Sequence, residues 1–111
     1  MRLWLKPTIV NDEPLGYIYY ITSVEPDYPV KIGYSSTIRG VSDRVKTLQT
    51  GNPYNLYTIG WKRGAYSDER DEHERWNHLR LRGEWFMRRR ELALHIKRSK
   101  EIRVVAECPT N

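Results

Sequence analysis

Two short runs constrain this chain more than anything else in it. Gly16-Tyr17-Ile18-Tyr19-Tyr20-Ile21-Thr22 and Val30-Lys31-Ile32-Gly33-Tyr34 are dense in aromatic and β-branched residues, which suit a pleated, half-buried surface. Between them, Glu25-Pro26-Asp27-Tyr28-Pro29 reads as a loop. The segment is therefore expected to be an antiparallel hairpin. Pairing Tyr19 with Lys31, Tyr17 with Gly33 and Ile21 with Pro29 leaves 22–28 as the connection. Side chains alternate between the two faces of a strand. Ile18, Tyr20, Val30 and Ile32 then form a core face, and Tyr17, Tyr19 and Lys31 share the more polar one. That register sets a phenol and an amine side by side, with β-carbons about 5 Å apart. Taken alone, it reads first as an ordinary cross-strand pair with the lysine stem lying over a ring.

The remaining elements follow from their punctuation. Ser42 is placed to cap a helix over 43–49, which stops at Thr50-Gly51-Asn52-Pro53. A third strand is expected over 54–61, with a turn at Lys62-Arg63-Gly64. A helix opened by Ser67 or Asp68 runs to about Leu81, and Gly83 ends it. A last helix is expected over roughly 89–100, with a strand over 102–106. The order ββαβαα implies an α+β fold, a small mainly antiparallel sheet with helices packed on it. A chain of 111 residues is expected to be a single domain, 1–111.

Charge divides the chain unevenly. Residues 1–79 hold ten basic and ten acidic side chains, whereas 80–111 hold nine basic and four acidic, so the net +5 resides in the C-terminal third. Thirteen of the 19 basic residues are arginine, the better shape for phosphate. Arg80, Arg82, Arg88, Arg89 and Arg90 lead that block. It serves either as a solvated face or as a contact for a phosphate backbone. No apolar run approaches the ~18 residues of a membrane span, and the first residues lack the apolar stretch of a signal peptide. The single cysteine, Cys108, has no internal disulfide partner and is not read as a nucleophile. A reducing, cytoplasmic setting and no membrane partner are expected.

On the expected long helix, Glu69, His73, Trp76 and Leu79 or Arg80 share one face. Trp76 and Leu79 mark it as the buried side, which draws Glu69 and His73 toward the protein. A carboxylate there is costly unless paired, for instance with a metal ion; a first-turn glutamate favoured by the helix dipole is the simpler alternative. His73 and His78 are five apart and point about 140° from each other, so they do not form a zinc-protease pair. No glycine-rich phosphate loop is present.

Several pieces in order resemble a known family. Tyr17-Ile18-Tyr19, then Lys31-Ile32-Gly33, the segment Arg44 to Pro53, Glu69-x-x-x-His73 and Gly83-Glu84-Trp85-Phe86 resemble the GIY-YIG nuclease superfamily. The likeness is to its phage-associated subgroup with K-I-G and G-E-W-F, over about residues 16–87, leaving 88–111 as a basic C-terminal helix and tail. The resemblance implies a three-stranded antiparallel sheet flanked by helices that cuts phosphodiester bonds with one divalent ion, Mg²⁺ or Mn²⁺. It places Tyr19, Lys31, Arg44 and Glu69 in the catalytic site, with Glu69 holding the metal. Arg44 and the ion would stabilise charge developing on the phosphate. Tyr19 would orient or deprotonate the attacking water, with Lys31 as the cation that lowers its pKa. Glu84 competes with Glu69 as the metal ligand. His73 fills the place of a residue the family carries after the arginine, where this chain has Leu48, and Arg39 is a weaker substitute for Arg44. The expectation is a metal-dependent endonuclease with nucleic acid, DNA first, as partner. Arg39, Arg80, Arg82, Arg88, Arg89 and Arg90 would contact its backbone. A non-catalytic nucleic-acid-binding module is the alternative.

Overall fold

A computed structural model describes residues 13–107, with side chains through Ser99. Chain order is β1 (Gly16–Ser23), β2 (Val30–Ser35), α1 (Ile38–Gln49), β3 (Leu56–Gly64), α2 (Tyr66–Arg75), a 3-10 turn (Asn77–Leu79), β4 (Arg80–Arg82), β5 (Trp85–Phe86) and α3 (Arg90–Glu107). The strands form one sheet in the order β3-β1-β2-β5-β4, every neighbouring pair antiparallel. The α+β class holds, but the expected three-stranded sheet is corrected to five strands.

The two extra strands come from a segment that reads as the end of a helix. Gly83 adopts φ +55°, a left-handed conformation that glycine takes without cost. It turns the chain between β4 and β5 rather than terminating a helix. α2 stops early, at Arg75, and the backbone N–H of Leu79 closes a 3-10 turn on the Trp76 carbonyl. β5 then docks on β2 through Val30↔Phe86 and Lys31↔Trp85.

The hairpin register differs from the expected one by two residues: Tyr19 faces Gly33, Tyr17 faces Ser35 and Ile21 faces Lys31. Pro29 has no N–H to give to a ladder, so pairing with β1 begins only at Lys31, while the Thr22 hydroxyl donates to the Pro29 carbonyl at 2.9 Å. Because side chains repeat every two residues, a two-residue shift leaves the faces unchanged. On one face Ile18, Tyr20, Val30 and Ile32 pack with Trp76, Leu79, Phe86, Leu92 and Ile96, under α2 and α3. On the other, Tyr19 and Ile21 pack with Val41 and Leu56, beneath α1.

Three further expectations are corrected. α1 starts at Ile38 because Thr37 caps it, its hydroxyl accepting from the Gly40 N–H at 2.9 Å; Ser42 lies one turn inside, and Arg39 belongs to the first turn. Lys62-Arg63-Gly64 is not a turn but the end of β3, and the chain enters α2 where the Asp68 carboxylate accepts the Ala65 N–H at 2.7 Å. The strand expected over 102–106 lies within α3: Leu92 and Ile96 bury one stripe of that helix, and no glycine or proline interrupts it afterwards. Cys108 lies outside the described residues. Among the described residues, no helix is long and apolar enough to cross a membrane.

Candidate functional site

The site forms where the sheet is interrupted. β5 pairs with β2 over two residues only, and beyond them the backbone of Ile32 bonds outside the ladder. Its N–H donates to the Glu84 carbonyl at 3.0 Å, and its carbonyl accepts from His73 Nε2 at 2.9 Å. α2 packs against this part of β2 and turns Glu69, Glu72 and His73 inward, residues spaced for one helical face. Glu69, His73 and Glu84 thereby come together, with one candidate ligand atom from each within 4.8 Å of the others. Glu69 is 8% exposed, and its Oε2 lies 3.8 Å from His73 Nε2.

Lys31 reaches the same point from β2. Its Nζ lies 2.6 Å from Glu84 Oε1 and 5.8 Å from the centre of the Trp85 ring. Burial pushes the Glu84 carboxyl up, but the hydrogen bond and charge of Lys31 outweigh it and hold the group below its ordinary value. Among the described residues Glu69 pairs with no lysine or arginine, although the charges of Lys31 and Arg44 act on it. Burial, then the charge of Glu84 and a hydrogen bond with it, push its carboxyl up to about 7. The two carboxyls differ because only one has its own cation.

Tyr19 is fully buried on β1, and its ring lies across Gly33: a β-carbon there would sit 2.3 Å from Tyr19 Cζ and Oη. Gly33 is thus the residue that leaves space for the phenol. Burial, with smaller contributions from Glu84 and Glu69 and opposition from Arg44, pushes this phenol up to about 12. The expectation that Lys31 lowers its pKa is corrected: the Lys31 ammonium is tied to Glu84, and Tyr19 stays protonated at neutral pH, a hydrogen-bond donor. Arg44 projects from α1, exposed and without an ion pair among the described residues, close enough for its charge to act on Tyr19 and Glu69. The five expected site residues, Tyr19, Lys31, Arg44, Glu69 and His73, therefore converge, and Glu84 joins them.

The model of one family, the T5orf172 domain, matches residues 16–107. The chain belongs to the T5orf172 domain family. This corrects the resemblance to the GIY-YIG nucleases: the matching family is a different one, and no GIY-YIG model matches. The short pieces that carried that resemblance have local causes here. Gly33 makes room for the Tyr19 ring, Gly83 makes the β4–β5 turn, and Trp85-Phe86 is β5. No curated protein and no solved structure matches the chain. The T5orf172 domain is a nucleic-acid-associated family.

In this T5orf172 domain the donors at the site suit a divalent ion. Two carboxylates are the hard oxygen ligands that Mg²⁺ and Mn²⁺ take, and the proton held by the Glu69 and Glu84 pair is one a cation would displace. His73 contributes less readily, because its Nε2–H donates to the Ile32 carbonyl. Glu84, weighed above as a rival to Glu69, is its neighbour.

The expected backbone-contacting arginines separate into two kinds. Arg39, Arg82, Arg89 and Arg90 are exposed. Arg88 and Arg80 hold the fold. Arg88 donates to the Thr22 hydroxyl and to the Ser23 and Glu25 carbonyls, at 3.3, 3.1 and 2.6 Å. Arg80 bonds Asn77 and Gly83 and lies over the Phe86 ring.

Glu72 was missed altogether. Its carboxylate accepts from Tyr20 Oη at 3.2 Å, Trp76 Nε1 at 2.9 Å and His95 Nε2 at 3.0 Å, and it pairs with Lys62. It thus ties α2 to β1, β3 and α3. Its place four residues before Trp76 on the buried face was the available signal.

Proposed function

We propose that this T5orf172 domain is a divalent-metal-dependent endonuclease that hydrolyses phosphodiester bonds in DNA. The observation that carries the proposal is the meeting of Glu69, His73 and Glu84 within 4.8 Å, beside a protonated Tyr19 and an exposed Arg44. Glu69 and Glu84 are the residues to hold the ion, Mg²⁺ or Mn²⁺, which when bound supplies Lewis-acid polarisation of the phosphate. Arg44 offers its guanidinium to the developing charge. Tyr19 donates a hydrogen bond that orients the phosphate or the attacking water. Lys31, paired with Glu84, would have its ammonium free for a phosphate oxygen where an ion takes up the Glu84 carboxylate.

The Lys31–Glu84 ion pair, at 2.6 Å, favours a second reading, a nucleic-acid-binding module in which Lys31 already satisfies Glu84. Cleavage of single- and double-stranded DNA and RNA, with Mg²⁺, with Mn²⁺ and with chelator, separates the two. The enzyme reading requires metal-dependent cutting that falls by orders of magnitude in both Glu69→Gln and Glu84→Gln, with binding retained. Arg44→Ala should lower turnover more than affinity, since its charge is matched to the transition state. Binding without cutting under all conditions establishes the second reading.

A further inference from the structure

Beside the carboxylates lies a row of aromatic rings that the proposed chemistry does not use. Trp85 follows Glu84 and lies beneath the Lys31 ammonium. Tyr28, from the β1–β2 loop, packs against Trp85 with ring centres 6.2 Å apart, and Tyr54, from the α1–β3 loop, packs against Tyr28 at 5.6 Å. Three separate segments thus build one continuous row, leading from the carboxylate pair to solvent. Trp85 and Tyr28 are half-buried, and Tyr54 is 45% exposed.

The row is held rigidly. Asn52 Nδ2 donates to Tyr28 Oη at 3.0 Å, and its side-chain oxygen accepts the Tyr54 N–H at 2.8 Å. Gln49 Nε2 donates to the carbonyls of Asn52 and Tyr54, at 3.2 and 2.9 Å, while its oxygen accepts the Leu56 N–H at 2.8 Å. These bonds fix the backbone under Tyr54 yet leave its ring outside. A ring carried on a backbone that is already fixed leaves a ligand less conformational freedom to remove.

We infer that Trp85, Tyr28 and Tyr54 form a base-stacking subsite that makes single-stranded DNA the preferred substrate of the adjacent site. The inference rests on the nucleic-acid reading proposed above. Every base has a face that stacks on an aromatic ring, and that face is free only when the strand is unpaired and unstacked. A duplex offers this row phosphates alone, to which tyrosine and tryptophan add little. Lys31 lies against Trp85, and the charge of Arg44 acts at the adjoining carboxylate Glu69; these cations hold the backbone while the rings take the bases, the usual division in sequence-tolerant single-strand binding.

The test uses the full chain, with chelator present so that no cutting occurs. The probes are a single-stranded DNA oligonucleotide carrying 2-aminopurine and its blunt duplex. The single strand should bind more tightly than the duplex and lose 2-aminopurine fluorescence on binding. Tyr54→Ala should weaken single-strand binding at least about fivefold and leave duplex binding and the melting temperature unchanged, while Tyr54→Phe should match the parent. Equal affinity for both probes, or parent-like binding by a folded Tyr54→Ala, overturns the inference, the latter pointing to a protein as the occupant of the row. If cutting with metal persists alongside either result, the nuclease reading survives and the subsite alone fails. A chain that binds neither probe refutes both.

Discussion

Replacing Glu72 with glutamine should be the most damaging conservative change in the domain. Its carboxyl is 5% exposed. Burial raises its pKa, but the hydrogen bonds of His95 and Lys62 and their charges more than reverse this and bring it from 4.5 down to about 2. That difference corresponds to about 3 kcal/mol of native stability. A count of contacts gives a similar size. Glutamine keeps one oxygen for Trp76 Nε1, but its NH₂ replaces the oxygen that accepts from Tyr20, Lys62 and His95. Donors then face a donor, at roughly 1–3 kcal/mol for each buried group left unmade. For a domain of this length, about 3 kcal/mol is a fall in melting temperature of roughly 10–20 °C. The pH dependence has a definite sign. A carboxyl depressed in the native state contributes its full stability above its unfolded value near 4.5, and the contribution is lost as pH falls through its native value near 2. Thermal or urea unfolding at pH 7 and at pH 3 measures this as the gap between parent and Glu72→Gln, which should be wide at pH 7 and narrower at pH 3. A gap below about 1 kcal/mol at pH 7, or one that does not narrow, refutes the argument.

Gly33→Ala should destabilise by about 1–3 kcal/mol, because its methyl meets the Tyr19 ring at 2.3 Å. In a Tyr19→Ser background the added cost of Gly33→Ala in urea melts should fall to near zero, and an undiminished cost would place the strain elsewhere. Arg88→Gln should lower stability by about 1–3 kcal/mol through its lost bonds to residues 22–25. Exposed Arg90→Gln should stay within about 0.5 kcal/mol of the parent while flattening the log–log salt dependence of duplex binding by up to about 0.9. Unfolding and binding titrations on the two variants would show the reverse pattern if Arg88 were the phosphate contact.

The sheet faces were legible in the sequence because they depend on a two-residue period. Tyr19 and Lys31 share a face under either register, so their common location survived a wrong pairing. The register itself depended on Pro29 and on the space Gly33 leaves for a ring, and neither shows in an alternation of polar and apolar residues. The number of strands was hidden by Gly83. A glycine after an apolar, basic segment signals a helix end as readily as a hairpin turn, and only the docking of Phe86 into the core under β2 decides between them. The structural bonds of Arg88 were hidden because its charge is visible in sequence, whereas the carbonyls of Ser23 and Glu25 that it satisfies lie more than sixty residues away.

The same physics explains why the site lies where it does. A sheet edge satisfies its backbone by adding a strand, and a longer β5 would have continued along β2 past Lys31. It would have taken the Ile32 carbonyl that His73 now occupies and closed the gap against which α2 sets Glu69. A shorter one would have left Val30 and Lys31 unpaired and Glu84 without a fixed backbone. Two residues of pairing, Val30↔Phe86 and Lys31↔Trp85, are enough to bury Phe86, to fix Glu84 beside Lys31 and to stop. The pair of carboxylates is thus a consequence of where a strand ends, and the chain sets them together at the cost of a Glu69 carboxyl raised by its burial and by the charge of Glu84.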